Sequence, residues 1–562
     1  MVKRILTFLN KEFHGVNEAA LLLGGFALLS QLLGLVRDRA LAHIVGAGPV
    51  LDTYYAAFRI PDFLYISIAS LASITVLMPF LMEKINSAEH GKERAQAFIS
   101  NIFSAYMLFM VVISVLIAIL MPYIASYIAP GFTESQLHSL VVTSRIMLFS
   151  PIFIGLSNLI GTITQLFRNF FIFSLSPIFY NVGILLGILF LYPIYGVYGL
   201  AGGVIIGAVL HLLIQVPTVV RHGFFPKFSA RISWGEVLKV VKLSAPRTLT
   251  LSCNSLAFVI LIAIASTLKE GSISLFTFSY NLQSVPVGII GISYSVAAFP
   301  ILVKSFSMKD MDNFISHITS AAKQIIFWSL PVITLLIVLR AQIVRVILGS
   351  NTFSWADTRL TAAAVALFVV SLASQSLVLL FVRGYYAAGN TKKPLVVNVF
   401  SSVMVVVFAY ILIYIFRVYP TVLYSIEALL RVTDVPGTIM LALPLAYALG
   451  SLLNFLLIWV LFKKDFLHGA SSKLFTTFTQ STVSALVMGV VAYIALGIFD
   501  DIFGLTTTRG VFLQGFLSGV IGISFGVFIL SMMKNKELAD LAKALSHKFW
   551  RGRVIAPEQK EL

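Results

Sequence analysis

Charge is scarce in this sequence. Of its 562 residues only 11% are Asp, Glu, Lys or Arg, while 59% are hydrophobic; a soluble domain is about a quarter charged. A surface this poor in charge excludes a water-soluble globular protein. Cysteine is scarcer still: Cys253 stands alone inside an apolar run, which excludes an intrachain disulfide framework and a cysteine metal site. The histidines are scattered without ligand spacing, so no metal is expected. No Walker A stretch is present, which excludes ATP binding by a P-loop, and no Ser-His-Asp arrangement stands out. The chain is therefore read as no enzyme and as needing no cofactor. Its work must draw on the membrane potential, an ion gradient or the cargo's own gradient.

What is abundant is apolar sequence in about fourteen runs, each near the length of about 20 residues that crosses a hydrocarbon core of about 30 Å. The alternating segments of about 10 residues that build a membrane barrel are absent. The expected fold class is an all-α polytopic membrane protein, with spans from Leu21–Ile44 and Asp52–Leu81 through Val240–Thr267 to Val511–Met532. The net charge of +17 does not point to nucleic acid, because the basic residues lie between the apolar runs. One set of connections holds most of them, including Lys84, Lys92, Arg94, Arg221, Lys227, Lys392, Lys393, Lys463 and Lys464. The positive-inside rule then puts both termini in the cytoplasm. The first residues, MVKRILTFLNKEFHG, have no long apolar core or cleavage site and read as an amphipathic lead-in, not a signal peptide.

The chain repeats itself. FISNIFSA (Phe98–Ala105) recurs as FISHITSA (Phe314–Ala321). Tyr55 and Pro61 of YYAAFRIP correspond to Tyr280 and Pro286 of YNLQSVP, and SPIFYN (Ser176–Asn181) corresponds to KPLVVN (Lys393–Asn398). Three matches in order argue for two homologous six-helix lobes, residues 19–222 and 223–465. They follow a lead-in (1–18) and precede an added helix pair (466–533) and an amphipathic tail (534–562). Six helices per lobe make the repeats parallel, an arrangement found in transporters that alternate their access around a central cavity.

Charges at bilayer depth cost at least ~2.5–3.5 kcal/mol by insertion scales, so they mark function. The first span holds Arg37, Asp38 and Arg39; the second holds Asp52, Arg59 and Asp62; Arg145 and Arg247 follow in later spans. Arginine's planar fork suits phosphate, so Arg37, Arg39 and Arg59 are candidates for an anionic cargo. The alternative is structural: Arg37 pairs with Asp38 or Asp52 and ties helices together. Pro61 and Pro286 occupy equivalent places in the repeat and are hinge candidates. Gly203 and Gly207 form a small-xxx-small packing step. The tail, with Leu538, Leu541, Leu545 and Phe549 on one face, is expected to lie along the inner leaflet.

The segment LLGLVRDRALAHIVGAGPVLDTYYAAFRIPDFL, and the stretch around VPVGIIGISYSVAAFPILVKSF, resemble the MurJ/MviN-type lipid II flippases of the multidrug/oligosaccharidyl-lipid/polysaccharide exporter superfamily. The resemblance covers essentially the whole chain. It implies movement of an undecaprenyl-linked peptidoglycan precursor, lipid II, across the bacterial plasma membrane, with cell-wall synthesis proteins as possible partners. It also implies a cationic cavity, and a groove for the lipid tail made by the last two spans. By the motif match, Arg37, Asp38, Asp52 and Arg59 occupy cavity or gate positions, with Arg39, Asn281 and Gln283 as further cavity candidates and Asp62 as a gate or charge partner.

The chain departs from the family pattern in several places. Gln31, Tyr65, Ile66 and Asn281 stand where the family has arginines, and Ser70 and Ser284 where it has acidic residues. The stretch near Phe258 is apolar where sodium-coupled members carry an aspartate. Asn398 matches an asparagine of that ion site, and Ser402 stands in place of a carboxylate. The implied cavity is thus less charged than the family's, and sodium coupling is not favoured. Exporters of another lipid-linked glycan or of an amphipathic small molecule, and a non-transporting scaffold for envelope assembly, remain alternative readings.

Overall fold

The computed structural model describes residues 16–68, 74–86, 90–466, 472–503 and 507–550. Ser70 lies outside the described residues, as do the side chains of Arg247, Leu545 and Phe549. The described residues are almost entirely helical and contain no strand. The helices used below are α1 (Val16–Ile44), α2 (Pro49–Ala57), α3 (Arg59–Ile68), α4 (Gly91–Ile128), α5 (Phe149–Leu166), α6 (Phe170–Leu186), α7 (Val197–Leu213) and α8 (Trp234–Ser266). They continue with α9 (Ser272–Pro286), α10 (Met311–Val338), α11 (Leu372–Ala387), α12 (Lys392–Val418), α13 (Ala442–Asp465), α14 (Ser472–Asp500), α15 (Thr508–Met532) and α16 (Lys536–Trp550).

Among the described residues ten helices are long and apolar enough to cross a membrane, or eleven if the pair Trp355–Val369 and α11 counts as one broken span. This protein is an integral membrane protein. Three of the fourteen spans read from sequence are not among these, because each includes residues or side chains outside the described ones. The first, in α1, carries Arg37, Asp38 and Arg39 in succession. The second is broken at Phe58 between α2 and α3 and carries Asp52, Arg59 and Asp62. The third, in α8, includes the apolar stretch Leu251–Ser266. These three segments, with α6 and α9, line the cavity described below.

The chain divides into two compact units. The first comprises Met1–Val285, Ile347–Phe368 and Gly389–Asn454; the second comprises Pro286–Val346, Val369–Ala388 and Phe455–Leu562. This division follows packing, and it cuts across the lobes that the sequence repeat defines.

In the first unit α4 turns a band of Phe109, Val112, Val115 and Ile119 outward, ending in Tyr123 and Tyr127, which are 73% and 82% exposed. Aliphatic residues bounded by tyrosines are the pattern of a lipid-facing helix and its interfacial belt. On the buried side of this unit Phe98, Ile102, Tyr106 and Met110 of α4 pack with Leu159 and Ile163 of α5. Helices α6 and α7 cross where four glycines meet. A Cβ added at Gly183 would stand 2.2 Å from the Cα of Gly207, and one at Gly203 would stand 2.5 Å from the Cα of Gly187. Only glycine allows that approach.

The repeated octapeptide also has a visible job. In FISNIFSA, Ser100, Asn101 and Ser104 accept the backbone N–H groups of Lys227, Ser233 and Ser229 at 3.1, 2.7 and 2.8 Å. They pin the segment that joins the two lobes. In the second unit, α10 begins with FISHITSA, and Lys323 one turn beyond it pairs with Glu537 of the tail helix at 3.7 Å. Glu537 also accepts from Thr477 of α14 at 3.1 Å. Leu538 and Leu541 of the tail are half-buried.

Pro61 and Pro286 both sit beside interruptions of the helical ladder. Pro61 lies in the first turn of α3, just after the break at Phe58. Pro286 closes α9, and the next turn, Val287–Ile292, is a π-helix. Proline removes a donor and the ladder re-registers around the gap.

Candidate functional site

Consecutive helical residues point about 100° apart, so Arg37, Asp38 and Arg39 cannot share a face. Arg37 points into a cavity of about 480 Å3 within the first unit. Asp38 is buried behind it, at 3% exposure. Arg39 turns away: its Nη1 donates to the carbonyl of Ile347 at 3.2 Å, and it does not line the cavity.

Arg37 is held on three sides. Its Nε and Nη2 donate to Asp38 Oδ1 at 3.0 and 2.9 Å, and Nη1 donates to Asn181 Oδ1 at 3.2 Å. Asp38 Oδ2 accepts from Asn281 Nδ2 at 2.9 Å. The relay Asn181–Arg37–Asp38–Asn281 thus joins α6 and α1 of the first lobe to α9 of the second. Of the two pairings open to Arg37, the structure takes Asp38. Gln31 lies two turns earlier on α1, its Oε1 buried without a hydrogen bond.

Asp52 serves something else. Pro49 starts α2, and a proline at the first helical position leaves no wasted donor. One turn on, Asp52 is buried at 4% exposure. Its Oδ2 accepts from Gly271 N at 2.7 Å, and its Oδ1 accepts from Ser274 N and Ser274 Oγ at 2.8 and 2.5 Å. A carboxylate from α2 therefore caps the N-terminus of α9 and meets its positive dipole end. The turn before α2 is locked as well. Gly46 has φ +78°, and an added Cβ there would stand 2.8 Å from the carbonyl oxygen of Thr352. Thr352 Oγ1 in turn donates to the carbonyls of Ala42 and His43.

Arg59 opens α3. Its Nε donates to the carbonyl of Tyr55 at 3.0 Å, and its guanidinium lies 4.8 Å from the centre of the Phe258 ring, a cation–π contact. No carboxylate stands within ion-pairing distance of Arg59 among the described residues. Asp62, three residues on, also lines the cavity.

The rest of the wall is aromatic and amide: Tyr54, Tyr55, Phe58, Tyr180, Tyr280 and Asn254, beside Asn281. Tyr55 and Tyr280 are repeat equivalents, so the wall inherits residues from both lobes. Sequence reasoning named neither tyrosine as a cavity residue, although the repeat had paired them; it missed Asn181 too, although SPIFYN had been singled out. Gln283, expected in the cavity, is 1% exposed and does not line it. It lies two residues from Asn281, roughly 200° around the helix, so the two cannot face one space. Tyr65 accepts from Asn158 Nδ2 at 2.7 Å, and Ser284 donates to the Asn281 carbonyl at 2.7 Å.

Asn398 and Ser402, the weak candidates for an ion site, fall in a neutral cluster. Asn398 Oδ1 accepts from Asn454 Nδ2 at 2.9 Å, and Ser402 Oγ donates to Asn254 Oδ1 at 2.5 Å. Arg145 belongs to no cavity described above; its Nε donates to the Ala118 carbonyl at 2.8 Å.

The second unit holds a different concavity, about 790 Å3, lined by Ile326, Leu377, Phe381, Trp459 and Phe475 among others. Lys463 is its one charged lining residue among the described residues. It draws on α10, α11, α13 and α14; no described residue of α15 lines it.

A cavity lined by arginines and a carboxylate, in a fold of long apolar helices, defines a polytopic transporter-type membrane protein. Solved structures share that fold. The chain superimposes on "Lipid II flippase MurJ, inward closed conformation" with a TM-score of 0.72, 22% identity, and coverage of 92% of this chain and 100% of that one. A multidrug resistance MATE family transporter of the MOP superfamily matches at TM-score 0.61 and 17% identity, over 78% of this chain and 96% of that one. Residues 41–514 match the family described as "Lipid II flippase MurJ", and the chain belongs to that family. Curated relatives include "Probable lipid II flippase MurJ" of Buchnera aphidicola subsp. Baizongia pistaciae, 28% identical over 67% of this chain and 74% of the relative. Another is "Lipid II flippase MurJ" of Burkholderia cenocepacia, 25% identical over 67% of this chain and 74% of the relative.

Proposed function

We propose that this protein moves lipid II, a polyprenyl-pyrophosphate-linked peptidoglycan precursor, from the inner to the outer leaflet of the bacterial plasma membrane by alternating access. The observation that carries the reading is Arg59: a guanidinium on a cavity wall, stacked on Phe258 and unpaired with any described carboxylate. A phosphate-bearing head group is the partner its free N–H donors fit. Arg37 and Asn281 join it, with the tyrosines offering faces for sugar rings. The apolar concavity of the second unit suits the polyprenyl tail.

In this reading the lobes 19–222 and 223–465 rock about Pro61 and Pro286. Asp52 is the gate: its bonds to Gly271 and Ser274 tie the lobes at what the positive-inside rule makes the outer end, with both termini cytoplasmic. The energy comes from membrane potential or an ion gradient. The neutral Asn254–Ser402–Asn398–Asn454 cluster supports coupling without sodium at that place. One observation favours a second cargo. Two lining arginines face two carboxylates, Asp38 and Asp62, so the wall is nearly neutral and suits a less charged amphipathic molecule.

Rescue of cells depleted of their own lipid II flippase tests the reading. Wild type should restore growth, and Arg59→Gln, expressed to the same level, should not. Equal rescue by both would overturn it.

A further inference from the structure

Asp62 is a charged group on the cavity wall that the contacts described above leave unused. Its carboxylate accepts no hydrogen bond and forms no ion pair among the described residues. It stands three residues from Arg59 on α3, a spacing that places both on one side of the helix. It also belongs to two spaces. Besides the main cavity it lines a smaller chamber of about 260 Å3 within the same unit, with Tyr65, Ser150, Tyr180 and His211. Tyr180 and Phe58 likewise line both.

The groups facing Asp62 can be named by element. Helix α1 brings Arg37, backed by Asp38; α2 brings Tyr54 and Tyr55; α3 brings Arg59 and Tyr65. Helix α6 brings Tyr180, α7 brings His211 and α9 brings Tyr280. His211 Nδ1 lies 2.6 Å from Ser157 Oγ. The described lining residues of α5 and α8 are not titratable.

With both carboxylates ionised, the formal charges of Arg37, Arg59, Asp38 and Asp62 cancel. Asp38 spends its charge on Arg37. Asp62 spends its charge on no one, so it offsets Arg59 only through space. An anionic head group beside Arg59 would meet that carboxylate as a like charge at short range, where the surrounding protein screens poorly. One proton on Asp62 removes the repulsion and leaves the wall positive.

We infer that Asp62 is a proton-binding site coupled to the cargo's charge. It takes one proton from water onto a carboxylate oxygen when a pyrophosphate-bearing head group lies against Arg59, and returns it when that group leaves. The inference rests on the anionic-cargo reading and adds a proton to each transport cycle. The only bond made or broken is O–H.

The test uses the full chain in lipid nanodiscs and farnesyl pyrophosphate as the probe. Calorimetry in buffers of different ionisation heat, between pH 6 and 8, counts protons taken up per ligand bound. Wild type should take up about one proton more than Asp62→Asn. Asp62→Asn should bind at least as tightly and lose the pH dependence that wild-type affinity shows. Asp62→Glu, which keeps a titratable carboxyl, should restore the uptake, as should His211→Gln, which leaves Asp62 intact. Equal uptake by wild type and Asp62→Asn, or loss of uptake in His211→Gln alone, overturns the inference and spares the cargo reading. Absence of farnesyl pyrophosphate binding to wild type, or undiminished binding by Arg59→Gln, overturns the cargo reading and this inference together.

Discussion

The two concavities of this protein differ in how much charge lines them. The cavity of the first unit is held by hydrogen bonds that cross between helices, with Arg37, Asp38, Asn181 and Asn281 each fixing the next. The larger concavity of the second unit is lined mostly by apolar side chains, and Phe381 of its wall is backed by further rings. Phe381, Phe462, Tyr385 and Phe466 form a run of tilted and edge contacts with centroids 4.8–5.5 Å apart. The first can tell one charge pattern from another. The second offers mainly apolar area. The difference predicts that mutations in the two places will fail differently.

The sharpest break should come from Arg59. Removing a charge partner of a desolvated anion costs about 2–5 kcal/mol, so Arg59→Gln should lower transport by at least about 30-fold whatever the length of the tail. Filling the other concavity with Leu377→Trp should act differently. Overpacking costs about 1–3 kcal/mol, and the loss should grow with tail length while binding of inorganic pyrophosphate stays the same. Asp52→Ala tests the organisation of the first unit. It strips the partners from Gly271 N and Ser274 N, each a loss of about 1–3 kcal/mol, and should raise the accessibility of a cysteine placed at Ser274 to a polar thiol reagent; Asp52→Asn should do so less.

The smallest effect should be at the exposed pair Arg359–Asp434, at 2.6 Å. Hydrogen bonds from Arg359 hold the Asp434 carboxyl below its ordinary value of 3.8. A depressed carboxyl stabilises above the unfolded value and loses that contribution as pH falls through the folded one. Asp434→Asn should therefore lower the melting temperature slightly at pH 7, and by less and less as the pH falls below that ordinary value. Transport should not change.

Much of this architecture was legible in the residues. Span lengths follow from bilayer thickness, and the repeat pairs Tyr55 with Tyr280 and Pro61 with Pro286 without any coordinates. The reading of Asn281 and Gln283 together as cavity residues overlooked helical geometry: two residues so spaced cannot face one cavity, and only Asn281 does. What sequence could not supply is which face meets which neighbour. Nothing in RDR says that Arg37 will find Asn181 or that Arg39 will settle on the Ile347 carbonyl. Nothing near Phe258 says that its ring lies under Arg59. Those partners are set by helix crossings such as the four-glycine contact of α6 and α7, which are long-range in the chain.

The central claim is that Arg59 engages the anionic head group of a lipid-linked cargo during its passage across the bilayer. Reconstitution of the purified chain into liposomes carrying lipid II, with the outward-reaching head groups counted by an impermeant enzyme or label, tests it directly. Wild type should equilibrate lipid II between leaflets, and Arg59→Gln, inserted in equal amount, should leave the inner pool inaccessible. Equilibration by Arg59→Gln at the wild-type rate would contradict the account.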